Sequence, residues 1–286
     1  MGDKPAGTIA TEALYATAER CRDSYPEAAD MIRDSTYMDD LIDSCEGASR
    51  GIKLAEDVST VMGTGNFRIK GWRFTGGNGT GSSVPLLPSG GDSVRVLGML
   101  WDNVADEFHY RVKINFSKKK KGVRMEPDVR CQDLGASLPA TLTRRLVLEQ
   151  VMGIFDPYGF LVPFTMKAKF LLRETWIWRL GWDDPLPEVL RQKWEEFFSG
   201  MYGIEELAIS RCVKPRGAVG APIMITFSDG SEKGYGAAAY LRWDLEGGGA
   251  KSSLVLAKGR VAPVKRITVP RLELNGAVVA KRIRRF

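Results

Sequence analysis

Histidine is almost missing from this chain: His109 is the only one among 286 residues. Catalysis by a histidine base, and metal centres built from imidazoles, are therefore close to excluded. His109 lies in the strand-like stretch Glu107-Phe108-His109-Tyr110 and reads as a structural or solvated imidazole. Cysteine is scarce too. Cys21, Cys45, Cys131 and Cys212 stand far apart, and no pair has the spacing that clamps zinc, so free thiols in a reducing compartment are expected. Long apolar runs are absent; the longest, as around 160–164, span only a few residues, so no bilayer-spanning helix is expected. Met1-Gly2-Asp3-Lys4-Pro5 leads into no signal-peptide apolar region and carries no myristoylation signal. The expectation is an intracellular protein, cytoplasmic or nuclear, with no membrane partner.

What is there is a globular composition, 44% apolar and 27% charged, with length for about two domains. The net charge of +6 is unevenly spread. Residues 111–124 hold seven positive charges and no negative one, and residues 258–286 hold nine against Glu273 alone. These segments carry +15 together, which leaves −9 for the rest of the chain. Localised positive charge on an acidic body is a phosphate-binding footprint, with Lys118, Lys119, Lys120 and Lys121 as the candidate contacts. The plainer reading of that lysine run is a solvated loop.

Along the chain, an amphipathic helix is expected around Leu54, Val58, Val61 and Met62, followed by a strand over 66–72. Residues 75–91, rich in Gly, Ser and Pro, read as a loop. A strand is expected over 94–101 and a second over 107–116. Helical patterns at 143–150 and 186–198 flank the Pro/Gly turn Phe155-Asp156-Pro157-Tyr158-Gly159. Trp176, Trp178, Trp182 and Trp194 suit a core, with stacking on nucleic acid as the alternative. From 223 onward, alternation predicts three strands and then a helix opened by Pro270.

Two places concentrate carboxylates where they can do chemistry. In Tyr37-Met38-Asp39-Asp40 the adjacent carboxylates repel, which suggests a shared cation, and the flanks fit a strand–turn–strand hairpin. Mg²⁺ prefers one or two carboxylates plus phosphate oxygens and water, and paired ions can stabilise an in-line phosphoryl displacement. Further on, Asp229 ends the first of the three strands and Glu273 lies in the first turn of the last helix. Their plainer readings are a turn carboxylate and a helix residue offsetting the dipole.

The order of these features resembles the polyprotein of BEL/Pao-type LTR retrotransposons. Tyr37-Met38-Asp39-Asp40, then a helix, then the Lys70-Gly71-Trp72 strand end are similar to the palm of its reverse transcriptase. Thr143-Arg144-Arg145, Phe155-Asp156-Pro157-Tyr158-Gly159 and Trp182-Asp183-Asp184 resemble the block between polymerase and nuclease. Phe227-Ser228-Asp229-Gly230-Ser231, Ala257-Lys258-Gly259-Arg260-Val261-Ala262-Pro263 and Pro270-Arg271-Leu272-Glu273-Leu274 resemble the first half of ribonuclease H. Gly230 stands for the family's usual Ala and Gly259 for its usual Ser, changes expected to be tolerated.

The resemblance implies an α+β chain: the C-terminal part of a reverse transcriptase palm with its hairpin (1–110), a helical thumb/connection-like segment (111–215), and the N-terminal half of a ribonuclease H-like mixed α/β domain (216–286). It implies RNA-directed DNA polymerase and RNA–DNA hybrid nuclease activities. Asp39, Asp40, Asp229 and Glu273 would be catalytic and would hold Mg²⁺ or Mn²⁺. Tyr37 and the lysine run would touch nucleic acid. The implied partners are RNA template, DNA primer, RNA–DNA hybrid, and polyprotein segments upstream and downstream. In the family a further palm carboxylate and the fingers lie upstream, and more nuclease carboxylates downstream. Both active sites are thus expected to be incomplete, in a truncated or degenerate copy or an excerpt. The 144–286 region is also grouped as a retrotransposon aspartic peptidase. That chemistry needs Asp-Thr-Gly or Asp-Ser-Gly loops, and none occurs here. A domesticated, non-catalytic nucleic-acid-binding protein is the non-enzymatic alternative.

Overall fold

The computed structural model describes residues 6–38, 40–75, 94–96, 99–117, 119–120, 123–124 and 126–285. Asp39, Lys118 and Lys121, and residues 76–91 of the expected loop, lie outside them. The chain forms two compact units, Met1–Glu107 and Phe108–Phe286.

The first unit is a small helical core carrying two hairpins. Helices α1 (Ala6–Arg20), α2 (Pro26–Asp34) and α3 (Ala48–Thr64) bury Leu14, Ala18, Ile32, Val58 and Val61 against one another. Proline opens α2 at its start, where its missing N–H costs no intrahelical bond. Between α2 and α3 lies the hairpin β1 (Thr36–Tyr37) and β2 (Asp40–Leu41), with Thr36 opposite Leu41 and Tyr37 opposite Asp40. The strand expected over 66–72 does not form as one; only an isolated bridge at Trp72 appears. Its apolar residues are used otherwise: Phe67, Ile69 and Trp72 pack on the helical core, and Trp72 Nε1 donates to Ser59 Oγ at 3.0 Å. Nor is 94–101 a single strand. It is the antiparallel pair β3 (Val94–Val96) and β4 (Met99–Asp102).

Strand β5 (Glu107–His109) is far shorter than the expected 107–116. Beyond it no strand is formed over 110–116: the Ile114 carbonyl accepts from the Val129 N–H at 2.7 Å, and side chains meet two further N–H groups. The Val112 N–H donates to Glu205 Oε1 at 2.7 Å, and the Asn115 N–H to Gln150 Oε1 at 2.8 Å. A two-residue ladder follows between β6 (Lys119–Lys120) and β7 (Val123–Arg124).

Helices α4 (Leu134–Ser137), α5 (Arg144–Val151), α6 (Val162–Ile177) and α7 (Glu188–Met201) come next. Their core holds Val147, Leu190, Trp194, Phe198 and Met201, and Phe164 stacks on Phe197 with ring centroids 4.7 Å apart. After the short β8 (Ala208–Ser210), three long antiparallel strands form a sheet in the order β11-β10-β9: β9 (Ala218–Gly230), β10 (Gly234–Leu245) and β11 (Ala250–Val261). Helix α8 (Val269–Ile283) packs on one face through Leu272, Val279 and Ile283, with Ala237 and Ala239 of β10 beneath.

Helix α6 covers the opposite face at β11. Lys169 Nζ donates to the Gly259 carbonyl at 3.2 Å and Arg173 Nη2 to the Pro263 carbonyl at 3.3 Å. The second unit is therefore helix, sheet and helix in three layers, and its upstream helices are part of the same body as the sheet.

Candidate active site

The hairpin is present in the pairing of Tyr37 with Asp40, while Asp39 lies outside the described residues. Met38 holds a left-handed conformation (φ 54°), which reverses the chain, and it is 80% exposed. Tyr37 and Asp40 are exposed as well. The hairpin is tied to α2 at its base, where Thr36 Oγ1 donates to the Ile32 carbonyl and the Ile42 N–H to the Ser35 carbonyl at 3.0 Å. Leu41 anchors it to the helical core.

The second carboxylate pair is built more firmly. Asp229 sits next to the end of β9, opposite Gly236 in the ladder. Helix α8 lies so close to this strand end that a Cβ on Gly230 would stand 2.5 Å from the Glu273 nitrogen. One turn on, a Cβ on Gly276 would stand 2.9 Å from the Asp229 carbonyl oxygen. Two glycines thus let the backbones of Asp229 and Glu273 adjoin, although the residues are 44 apart in sequence. The glycine at position 230, expected to be tolerated in place of the family's alanine, sits where a Cβ would crowd the backbone of α8. Strand alternation gives Gly230 the position facing α8, so the Asp229 side chain departs from the other face. β9 is one of the two outer strands among the described residues, and both carboxylates are exposed. They can meet only around that open edge.

The motifs between the two carboxylate sites are structural. Asp156 accepts from the Tyr110 hydroxyl at 3.1 Å and from the Leu161 N–H at 2.9 Å, which fixes the turn before α6. Burial, with the Asp156 charge and hydrogen bond, pushes the Tyr110 phenol far up from its ordinary pKa. In the same turn the Tyr158 carbonyl accepts from the Ala257 N–H at 2.8 Å, and Gly159 takes φ 78° with its α-carbon against the Ala257 carbonyl. The Phe-Asp-Pro-Tyr-Gly turn is thereby bonded to β11. Burial also pulls the Lys169 ammonium below its usual value; Asp156 opposes this and Arg260 adds to it.

The Thr143-Arg144-Arg145 and Trp182-Asp183-Asp184 motifs meet each other. Arg145 forks onto Asp183 with contacts of 2.7 and 2.9 Å, and that hydrogen bonding holds the Asp183 carboxyl below its usual value. Arg144 is 2% exposed, and its guanidinium lies 4.1 Å from the Trp176 ring centre and 5.2 Å from that of Trp182. The core reading of the tryptophans holds for Trp194, which is fully buried, but not for Trp176, Trp178 and Trp182, each 44–54% exposed. Helix α6 ends at Ile177, Arg179 turns the chain at φ 55°, and these indoles edge the second unit instead of filling it.

Of the lysine run, Lys119 and Lys120 lie in the β6–β7 ladder, Lys119 opposite Arg124. Arg124 is already engaged, with Glu149 at 2.9 Å. The sequence reading named no contact in the other basic segment, yet that segment lines a groove. Lys281, Arg284 and Arg285 of the α8 end face Thr226 and Ser228 of β9 there. The charge count over 258–286 was the available signal; only the register of β9 under α8 selects these three cations.

No helix among the described residues is long and apolar enough to cross a membrane. No curated protein and no solved structure matches the chain. A family model described as the Pao retrotransposon-like RNaseH-like domain matches residues 143–286, half of the chain. It begins at Thr143, whose hydroxyl oxygen accepts from the Leu146 N–H to cap α5, and ends with α8. The layers described above, helices α5 to α7 with the β9–β11 sheet and α8, are the matched region, and by that match the chain belongs to the Pao retrotransposon-like RNaseH-like family.

Proposed function

We propose that the chain is a segment of a retrotransposon reverse transcriptase/ribonuclease H, and that its second unit engages RNA–DNA hybrid with Asp229 and Glu273 at the scissile region. The observation that carries this reading is the glycine-permitted contact between the end of β9 and the first turn of α8, which sets both residues at one exposed edge. Two carboxylates open to solvent are a donor set that suits Mg²⁺ or Mn²⁺, which takes its remaining ligands from phosphate oxygens and water. Such an ion, when bound, activates water and offsets charge on a transferring phosphate. On this reading the chain's own contribution is to bring the backbones of Asp229 and Glu273 together at the β9 edge and leave access for a phosphodiester strand. On the same reading Asp39 and Asp40, beside Tyr37, are the palm carboxylates for nucleotide addition, with RNA template and DNA primer as their partners.

The test is thermal unfolding of the purified chain with rising Mg²⁺, together with binding of a labelled RNA–DNA hybrid. Mg²⁺ should raise the melting temperature of the wild type, and Asp229→Asn with Glu273→Gln should abolish that rise while leaving hybrid binding in place. Wild-type melting that ignores Mg²⁺ across the millimolar range would overturn the shared-ion assignment. Primer extension and hybrid cleavage by this chain alone should stay near background, since each site holds only part of its family's carboxylates.

A further inference from the structure

We propose that the segment 111–124 is a two-sided strap that contacts a nucleic-acid backbone. Its inner side is stitched to the second unit, its outer side presents Arg111 and Lys113, and it runs into a basic hairpin pinned by Asn115. This rests on the nuclease reading above and deepens it by naming a surface that holds the polyanion.

The two sides are set by contacts made within the chain. Tyr110, Val112 and Ile114 are buried, and Arg111 and Lys113 between them are exposed. Polar bonds hold the inner side. The Tyr110 hydroxyl donates to Asp156 Oδ1 at 3.1 Å and the Val112 N–H to Glu205 Oε1 at 2.7 Å. The Asn115 N–H donates to Gln150 Oε1 at 2.8 Å, and Gln150 Nε2 returns a bond to the Asn115 carbonyl at 3.2 Å. Phe116 meets the Phe198 ring edge-on, with centroids 5.7 Å apart. With the apolar side chains and these donors committed inward, the intervening cations are left to the outer side.

The lysine run beyond has two readings, a solvated loop or a phosphate contact, and the base of the loop separates them. Asn115 is 4% exposed, and its whole amide is used. Nδ2 donates to the Glu126 carbonyl at 2.8 Å and lies 3.2 Å from the Pro127 carbonyl, while Oδ1 accepts from the Ser117 N–H at 3.0 Å and its hydroxyl at 2.6 Å. Arg124 crosses the same base, donating to the Ser117 carbonyl and pairing with Glu149 at 2.9 Å. Asn115 and Ser117 on one side are thus tied to Arg124, Glu126 and Pro127 on the other. Between them lies the β6–β7 ladder with Lys119 and Lys120. A basic loop closed at its base has less freedom left to lose on binding, which favours a ligand contact over a solvated loop.

The charge is one-sided as well. Residues 111–124 hold seven positive charges and no negative one. Four carboxylates bond to the strap or the loop base. Glu149 meets Arg124, whereas Asp128, Asp156 and Glu205 accept from the neutral donors of Asn115, Tyr110 and Val112. A phosphodiester strand suits such a surface because guanidinium and ammonium groups bond its negative oxygens without reading sequence. The family match of this unit puts nucleic acid ahead of an acidic protein segment as that polyanion.

The test uses the full chain and a labelled RNA–DNA hybrid titrated at several salt concentrations. The strap variant is Arg111→Gln with Lys113→Gln, Lys119→Gln and Lys120→Gln. The control variant is Lys167→Gln with Arg216→Gln, Lys251→Gln and Lys265→Gln, which removes the same charge from exposed positions elsewhere in the unit. Each cation that neutralises a phosphate adds about 0.9 to the slope of log affinity on log salt. The strap variant should therefore lose about 2 to 4 from that slope, and the control less than about 1. Asn115 is a positioning residue on this proposal. Asn115→Ala and the milder Ser117→Ala keep every cation, so they should keep the slope while affinity falls about threefold to tenfold.

Equal slopes for the strap and control variants would overturn the contact and leave the nuclease reading standing. An acidic protein partner would give that same result. A wild type that binds neither hybrid, duplex DNA nor single-stranded RNA would overturn both. If the fourfold variant does not fold, Arg111→Gln with Lys113→Gln, and Lys119→Gln with Lys120→Gln, should each lose about half of the effect. Double variants that leave the slope untouched would sink the proposal equally. Unchanged affinity in both Asn115→Ala and Ser117→Ala would remove the pinning from it.

Discussion

The two carboxylate sites sit on strands of very different standing. Asp40 belongs to a two-residue strand whose ladder has two residue pairs, above a small helical core. Asp229 belongs to a thirteen-residue strand, bonded along β10 and pressed by a helix through two glycines. In the first unit the hairpin meets the core through Leu41 and the bonds at its base. In the second the carboxylate position is inseparable from the packing of α8 on the sheet. A two-pair ladder holds a hairpin by few bonds, whereas a helix pressed across a sheet fixes the backbones on both sides of the contact.

The largest effect should come from breaking the lock in the second unit. Gly230→Ala places a methyl 2.5 Å from the Glu273 nitrogen, against backbone that has no rotamer to yield. Overpacking of this kind costs about 1–3 kcal/mol, and Gly230→Val should cost more. Amide exchange across β9, β10 and α8 should accelerate, and Mg²⁺-dependent stabilisation should be lost. Unchanged protection would mean that the helix simply rides outward and the lock is not rigid.

In the first unit the matching change should do little. Asp40 is exposed, so Asp40→Asn should leave stability within about 0.5 kcal/mol in urea unfolding followed by circular dichroism. A loss comparable with that of Gly230→Ala would erase the contrast between the two sites.

The smallest effect expected is a pH dependence confined to the second unit. Arg145 holds the Asp183 carboxyl below its usual value, so this pair stabilises fully above the unfolded carboxyl pKa of about 3.9. The contribution is lost as pH falls through the lower folded value. Asp183→Asn should thus melt slightly below the wild type at pH 7, and the difference should vanish in acid. Both side chains are more than 60% exposed, so solvent screening keeps the shift small. A difference that persists at the lowest pH would show that Asp183 acts through packing rather than charge.

Where the local pattern and the tertiary need agreed, the elements were legible. Alternation at Ile223, Ile225 and Phe227 predicted β9, and Pro270 marked the start of α8. The Tyr37–Asp40 pairing followed from the β-favouring residues around it. The reading went astray where an apolar, β-favouring run had a better use than a ladder. Phe67, Ile69 and Trp72 became plugs for a helical core, and residues 110–116 were bonded by Glu205 and Gln150 side chains. Nothing in a local window reveals a partner so far away in the chain.

By itself the sequence determined the kinds of group available. One histidine left little room for imidazole chemistry, carboxylates at strand and helix ends invited divalent cations, and a basic C-terminal segment invited phosphate. It also carried the motifs of the Pao family in their order. Tertiary structure decided which of these groups meet. Glycines at 230 and 276 mark the places where backbones touch, but only the crossing of α8 over β9 shows what they touch, and so brings the backbones of Asp229 and Glu273 together. The same crossing selects Lys281, Arg284 and Arg285 from nine cations in the segment and sets them over Thr226 and Ser228. Composition fixes charge and local propensity, whereas proximity between distant residues depends on the register and packing of the whole unit.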